Sequence, residues 1–380
     1  MSLKTTHVVQ LLPALNSGGT EAGTLEIASA LVEAGYRSTV ISGGGQMVRQ
    51  LTREGSAHVQ MNVGDKRPWT LLNGLTLARW LRANEVDIVH VRSRLPAWLL
   101  TMALRLLPRD QRPIRVTTLH GHNSVSRYSA IMLRGDAVIA VSQTTADYWR
   151  KAYPQIEQNH VRVIERGVDQ QRFAHAWQPD MPWQRQFRQQ FPQIGQRALL
   201  CLPGRLSRLK GHAWFIELIA QLRREGAEVC GLIIGGEEAG RAAYAQSLYR
   251  QVKQQGLDDD LLFAGQREDM RECLAMADLV FSLSEKPETF GRTTLEALSL
   301  GVPVIGWDHG GVSELLSSLC PEGRVKPFDA TGLLTATRHL LAHPPAIPGE
   351  HRYTLEQMRQ RTLSLYAQLL ASRQPDAAQS

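Results

Sequence analysis

Asp278-Leu-Val-Phe-Ser-Leu-Ser284 is an apolar, strand-like run. Lys286-Pro-Glu-Thr-Phe-Gly-Arg-Thr-Thr-Leu-Glu-Ala297 follows it, and a second apolar run, Pro303-Val-Ile-Gly306, comes next. The middle stretch reads as a loop entering a helix: Pro287 marks a turn, Gly291 is small, and good helix formers begin at Leu295. Strand, loop, helix and strand in that order make one unit of an α/β protein with a mainly parallel sheet. The free amides of such a helix's first turn suit an anion. Glu288 and Glu296 lie eight positions apart here. Were the whole span helical, their carboxylates would sit a little over two turns apart and about 80° around the axis. A loop-to-helix path keeps one at the helix mouth and the other deeper along the same ligand. Two lone glutamates on a helix are otherwise a solvated charge pair, and the flanking strands favour the ligand reading.

The same alternation runs outward through the chain. His7–Leu12, Ser38–Ser42, Asp87–Val91, Ile114–Leu119 and Ala137–Val141 read as strands, with helices over Thr20–Ala34 and Trp69–Asn84. Asp169–Arg197, rich in Gln, Arg, Pro and Trp, has little sheet character and reads as a linker. The pattern restarts at Ala198–Leu202, Ala227–Ile234 and Leu261–Ala264. The expectation is two doubly wound α/β domains in tandem: residues 1–170, residues 171–353, and then 354–380, a helix packing back toward the first domain with a frayed end from Gln374.

At 380 residues and 43% hydrophobic, the chain can bury two cores. No apolar run spans a bilayer and the start leads straight into a strand, so a cytoplasmic protein is expected. Cys201, Cys230, Cys273 and Cys320 show no CxxC spacing and read as core residues. Residues 1–172 hold 21 Lys and Arg against 13 Asp and Glu, a balance of +8, while the remainder balances at −1. The first half is therefore expected to meet something anionic. Its arginines lack the interleaved aromatics of a single-strand platform, which argues against nucleic acid.

Glycines stand at the expected strand ends: Gly18-Gly19, Gly204 and Gly235-Gly236. Ligands of open α/β sheets bind beyond the carboxyl ends of strands, although glycine also serves ordinary turns. Gly204-Arg-Leu-Ser-Arg-Leu-Lys-Gly211 is more telling, because Arg205 and Lys210 could neutralise a departing diphosphate; the alternative is a pair of helix-surface cations. Neither a P-loop nor a G-x-G-x-x-G fingerprint is present, which disfavours P-loop NTPases and nicotinamide dehydrogenases.

With these segments the chain resembles the retaining nucleotide-sugar glycosyltransferases of family 4, whose GT-B fold has two Rossmann-like domains facing across a cleft. The markers are Ser17-Gly-Gly-Thr-Glu21, His120-Gly121, Val163-Ile-Glu-Arg-Gly-Val-Asp169, Gly204–Gly211, the paired glutamates and Gly301-Val-Pro-Val-Ile305. The junction departs from the family pattern, with Glu165-Arg166 where Pro-Asn is common. The resemblance implies that Arg205 and Lys210 bind the diphosphate, helped by the amides around Phe290, Gly291 and Arg292 and by those of Gly18 and Gly19. It places Glu288 on the donor-sugar hydroxyls, Glu296 on the ribose, His120 beside the donor sugar, and the Gly265-Gln266-Arg267 loop around the base. Glu21 would contact the acceptor. No metal or cofactor is implied beyond the nucleotide sugar as co-substrate.

His90-Val-Arg-Ser-Arg-Leu-Pro-Ala-Trp98 looks like the corresponding segment of bacterial transferases that build the lipopolysaccharide core. Arg92 and Arg94 would leave the strand end together and hold a carboxylate or phosphate of an anionic saccharide or glycolipid acceptor; the alternative is that they cap a carbonyl or pair with Asp87 and Glu85. Trp69–Arg82 and Leu95–Leu107 mix Trp and Leu with arginines, as helices touching the inner membrane's cytoplasmic face do, or as helices packed on a sheet do. The activity implied is sugar transfer in lipopolysaccharide core or envelope polysaccharide assembly. A nucleotide-sugar epimerase or phosphorylase of the same fold, or a non-catalytic sugar-nucleotide-binding protein, is the alternative.

Overall fold

The computed structural model describes residues 5–16, 18–65, 72–237 and 242–373. Ser17, the Trp69 end of the expected second helix and the tail from Gln374 lie outside these residues. The chain divides into two compact units. One comprises Met1–Gly167 with Leu355–Ser380, the other Val168–Thr354.

The first unit contains β1 (His7–Leu11), β2 (Arg37–Ser42), β3 (Ala57–Gln60), β4 (Ile88–Val91), β5 (Ile114–Leu119), β6 (Ala137–Ala140) and β7 (Val161–Val163). Among the described residues they form a parallel sheet in the order β3-β2-β1-β4-β5-β6-β7. Alternate residues feed opposite faces, as a pleated strand requires. Val9, Val89, Val91 and Val138 join a core with Leu77, Leu100 and Trp149. Val8, Ile88, Val116 and Ile139 face the other way, onto Ile27 and Leu31 and onto Met358, Leu365 and Tyr366 of the terminal helix Leu355–Arg373. That helix contributes polar bonding as well as apolar surface. The fully buried Tyr366 hydroxyl lies 2.5 Å from His90 Nδ1, while His90 Nε2 lies 2.6 Å from Thr118 Oγ1.

The second unit contains β8 (Ala198–Pro203), β9 (Val229–Ile234), β10 (Leu261–Gly265), β11 (Leu279–Ser282), β12 (Val304–Trp307) and β13 (Arg324–Val325), in the order β10-β9-β8-β11-β12-β13. From β8 the chain winds first to β9 and β10, then to β11 on the other side. The reversal leaves a crevice beyond the carboxyl ends of β8 and β11, where ligands of such sheets bind.

One expectation is corrected. Asp169–Arg197 is no linker: it belongs to the second unit and carries a helix, Met181–Gln190, capped by Asp180. Trp183, Phe187 and Phe191, four residues apart, pack in a row: Trp183 stacks on Phe187 at a centroid distance of 4.9 Å, and Phe187 meets Phe191 edge-on at 5.1 Å. Three aromatics on one helical face bury enough surface to anchor an otherwise polar segment.

Replacing Tyr366 by Phe keeps the apolar contacts and removes the hydroxyl, leaving a buried imidazole nitrogen without its bond. A loss of about 1–3 kcal/mol is expected, read as a lower urea midpoint for the first unit's unfolding. An unchanged midpoint would show that the terminal helix is held by apolar packing alone.

Candidate active site

In the second unit the loop after β8 is fixed by close backbone approaches. Gly204 has φ +152°, and a Cβ on Gly235 would come within 2.0 Å of the Gly204 carbonyl oxygen. Gly211, left-handed at φ +75°, would place a Cβ 2.0 Å from the Leu283 carbonyl oxygen. Between them a short turn, Arg208–Lys210, precedes the helix His212–Arg224. Beneath the turn lies the fully buried His212. Burial drives its pKa down to about 4, against the opposing pull of the nearby Gly204 and Ser207 backbone.

This loop carries Lys210 to Glu288. Lys210 Nζ and Ser284 Oγ each lie 2.5 Å from Glu288 Oε1, so both bonds fall on one carboxylate oxygen. Burial works against the charge on Glu288, but Lys210, the Ser284 hydroxyl and His309 outweigh it and hold the carboxyl below its ordinary range. Arg205, next to Gly204, is exposed.

The backbone around Glu288 is fixed by residues that the sequence reading did not single out. Gly311 N–H donates to the Glu288 carbonyl at 2.7 Å, and a Cβ on Gly310 would lie 2.5 Å from the same oxygen. His309 Nε2 is 2.9 Å from the Ser284 carbonyl oxygen, to which its N–H donates. A glycine pair opening a helix after an apolar run was the available signal. Phe290 is buried, and Gly291, with φ +94°, starts the helix Arg292–Ser299. Glu296 lies one turn into that helix and accepts from Arg292 Nε at 3.1 Å.

The Gly265–Arg267 loop follows β10. Gln266 is exposed and neighbours Gly236, where a Cβ would meet its side-chain Oε1 at 3.3 Å. The Arg267 side chain is committed within the fold. It makes two bonds to Asp269, at 2.8 and 2.6 Å, one to Gln190, and lies over the Phe187 and Phe191 rings. Only its backbone remains for the role implied above.

In the first unit, Gly18 (φ +152°) caps the helix Gly19–Glu33. The Glu21 carboxylate folds back over it, 2.6 Å from where a Gly18 Cβ would stand. His120 follows β5 in a turn clamped from the helix Gln143–Ala152: Trp149 Nε1 donates to the Gly121 carbonyl and Tyr148 Oη to that of Asn123. Arg166 Nη2 donates to His120 Nδ1 at 2.8 Å. Burial first, then Arg166, Arg92 and His90, hold the His120 pKa well below that of a free imidazole.

Arg92 and Arg94 do not leave their strand together. Arg92 turns inward, 4% exposed, and gives two bonds to Gln10 Oε1 on the neighbouring strand β1, at 2.8 and 2.5 Å. Arg94 stays at the margin, bonded to Ser129 Oγ and lying over the Tyr128 ring at 5.3 Å. Among the described residues no cluster of three or more His, Cys, Asp or Glu is placed to hold a metal ion. The four cysteines are buried and free, and Asp260 of the Asp258–Asp260 run pairs with Arg197 and Arg223. No helix of the described residues is long and apolar enough to cross a membrane.

Residues 17–172 match the Glycosyltransferase Family 4 model, and residues 184–345 match that of Glycosyl transferases group 1. The mannosylfructose-phosphate synthase of Agrobacterium fabrum is 32% identical over 52% of this chain and 43% of its own length. A lipopolysaccharide core biosynthesis mannosyltransferase of Rhizobium meliloti is 29% identical over 65% of this chain and 63% of its own. The first of these matches thus spans less than half of the relative, and the second just under two thirds. Among solved structures, a glycosyltransferase from Rickettsia africae superposes with TM-score 0.81 at 25% identity, covering 98% of this chain and 100% of the other. The Anabaena protein HepE, solved with UDP and glucose, gives TM-score 0.80 at 21% identity over 95% and 99%, and shares the fold. The two sheets are those of the GT-B fold, and the chain carries a Glycosyltransferase Family 4 domain followed by a Glycosyl transferases group 1 domain.

Proposed function

We propose that this protein is a retaining, metal-independent glycosyltransferase moving a sugar from a nucleotide-diphosphate donor to an anionic saccharide or glycolipid, in lipopolysaccharide core or envelope polysaccharide assembly at the cytoplasmic face of the inner membrane. The observation that carries this reading is the placement of Lys210 and Ser284 on one oxygen of Glu288, at the mouth of the helix Arg292–Ser299. The second oxygen is left to accept from a sugar hydroxyl. Lys210, Arg205 and the amides from Phe290 to Arg292 supply the positive charge that a departing diphosphate requires, the task a divalent ion performs in other transferases. Glu296 takes the ribose in this reading, Gln266 borders the base, and Gly18 and Gly19 offer amides. His120 stands beside the donor sugar. The similarity to core mannosyltransferases supports an envelope acceptor. Arg94, on the rim of the basic first half, is the residue left to meet its charge, with Glu21.

Three outcomes are expected. A nucleotide sugar of the right base should raise the melting temperature, by about 2.7 kcal/mol of stability at 100 times its Kd, and Lys210→Ala should lose most of that shift. If no UDP, GDP or ADP sugar stabilises the protein, the donor assignment fails.

Glu288→Gln keeps the shape but not the charge and should lower kcat by roughly 100-fold. Because the folded-state pKa of Glu288 is lowered, its contribution is present above the ordinary carboxylate range near 4.3 and is lost only as pH falls through the lower folded value. The wild-type pH–rate profile should thus show no acid limb from this group above pH ~5, and one that disappears in Glu288→Gln would contradict the assignment.

Arg94→Glu should raise the acceptor KM about 10-fold, a loss of ~1.4 kcal/mol, with the donor's thermal shift unchanged. Unaltered transfer to an anionic acceptor would remove Arg94 from the acceptor site.

A further inference from the structure

The first unit fixes His120 in one protonation form by means of a side chain with no role so far. Arg166 Nη2 lies 2.8 Å from His120 Nδ1. A guanidinium offers only N–H groups and no acceptor. Nδ1 must therefore present its lone pair, which puts the ring proton of the neutral imidazole on Nε2. The opposite tautomer would set an N–H against an N–H.

Arg166 reaches this position across the helix Gly19–Glu33. A Cβ on Gly23 would lie 1.6 Å from Arg166 Nη1 and 2.7 Å from Cζ. Any larger residue at 23 would push the guanidinium away, so the Nδ1 contact requires glycine there. The groups facing the imidazole oppose a second proton: Arg166 from the stretch after β7, and Arg92 and His90 from β4 and its end, all in a buried setting. His90 is itself bonded to the Tyr366 hydroxyl and to Thr118.

We propose that Arg166 is a positioning residue that fixes His120 as the Nε2–H tautomer, so that His120 acts on the donor sugar as a hydrogen-bond donor and not as a general base. The sugar as target rests on the function proposed above; the tautomer does not. An Nε2–H donates to a sugar hydroxyl or to charge building on an oxygen. It has no lone pair there to take the acceptor's proton, so deprotonation of the incoming hydroxyl falls to another group.

Full-length protein carrying 15N-histidine gives the test by long-range nitrogen–proton correlation, with His120→Gln identifying the signal. The wild type should show Nδ1 unprotonated and Nε2 protonated, unchanged from pH 8 to about 5.5, a range that brackets the ordinary histidine value. Arg166→Met should let the ring populate the other tautomer or take a second proton within that range. Gly23→Ala should do the same with Arg166 chemically intact, and because alanine favours a helix interior, this variant separates loss of reach from loss of folding. Both should lower kcat, by roughly 100-fold for a displaced catalytic group, and neither should cost anything further in a His120→Gln background. A protonated Nδ1 in the wild type, or an unaltered tautomer in both variants, overturns the proposal. A tautomer held as stated, in a protein that no nucleotide sugar stabilises, overturns the sugar role and leaves the hold of Arg166 on the ring intact.

Discussion

A carboxylate partly withdrawn from water needs a cation, and the second unit is arranged so that Glu288 has one. Its side chain is 25% exposed and that of Lys210 34%, so the pair is partly desolvated and its net contribution to stability is small. What matters is the cost of separating the partners. Glu288 without Lys210 would be drawn toward protonation by its surroundings, and Lys210 without Glu288 would lose its anchor. The Gly204–Gly211 loop cannot shift to compensate, since Gly235 and Gly211 bring backbone against backbone at either end. The ammonium is therefore held in a fixed place beside the carboxylate, as the diphosphate role proposed for it requires, and little reorganisation would be left for the moment of reaction.

Central strands were legible because they are buried on both faces and read as continuous apolar runs. The strands missed, β3, β7 and β13, all lie at sheet edges. Ala57–Gln60 has both ends exposed, Arg162 projects from the middle of β7, and β13 has two residues. Edge strands are short or polar because a long apolar edge would pair with other chains, so the property that protects them hides their pattern. The Asp169–Arg197 segment failed for a related reason. Its apolar content is low, and only the four-residue spacing of Trp183, Phe187 and Phe191 betrays a packed face.

The candidate site divides along the same physical line. Lys210 and Glu288 were nameable because each sits in a local pattern, a glycine turn or a loop-to-helix entry. Arg92 was misdirected by a rule that is usually sound, that a cation beyond a strand end meets solvent or ligand. Gln10, 82 positions earlier and on the adjacent strand, accepts both of its bonds. Ser284 and His309 were not singled out, and Arg166 was noted only as part of a departure at the domain junction, since what marks all three is a partner in space and no motif within a few residues. A contact such as Arg166 to His120 spans 46 positions, and nothing local encodes it beyond a glycine at 23 that resembles any other.

These interior arginines also change what the charge balance means. The excess of +8 in the first 172 residues suggested a basic surface. Yet Arg92 and Arg115 are almost fully buried. Arg115 is spent on Thr101 Oγ1 and the Ile131 carbonyl, and Arg166 on His120. Cations held this way do not attract a distant anion as surface charges do. Inside the unit they act on their neighbours instead: burial first, and then the arginines beside them, hold the pKa of His90 and His120 well below that of a free imidazole. A buried arginine costs desolvation, visible at Arg92 and Arg115 as a pKa lowered to about 10, and hydrogen bonds to neutral oxygens offset that cost only in part. In the first unit part of the basic excess therefore adds to burial in keeping two histidines neutral, and that part is not available to the anionic acceptor proposed above.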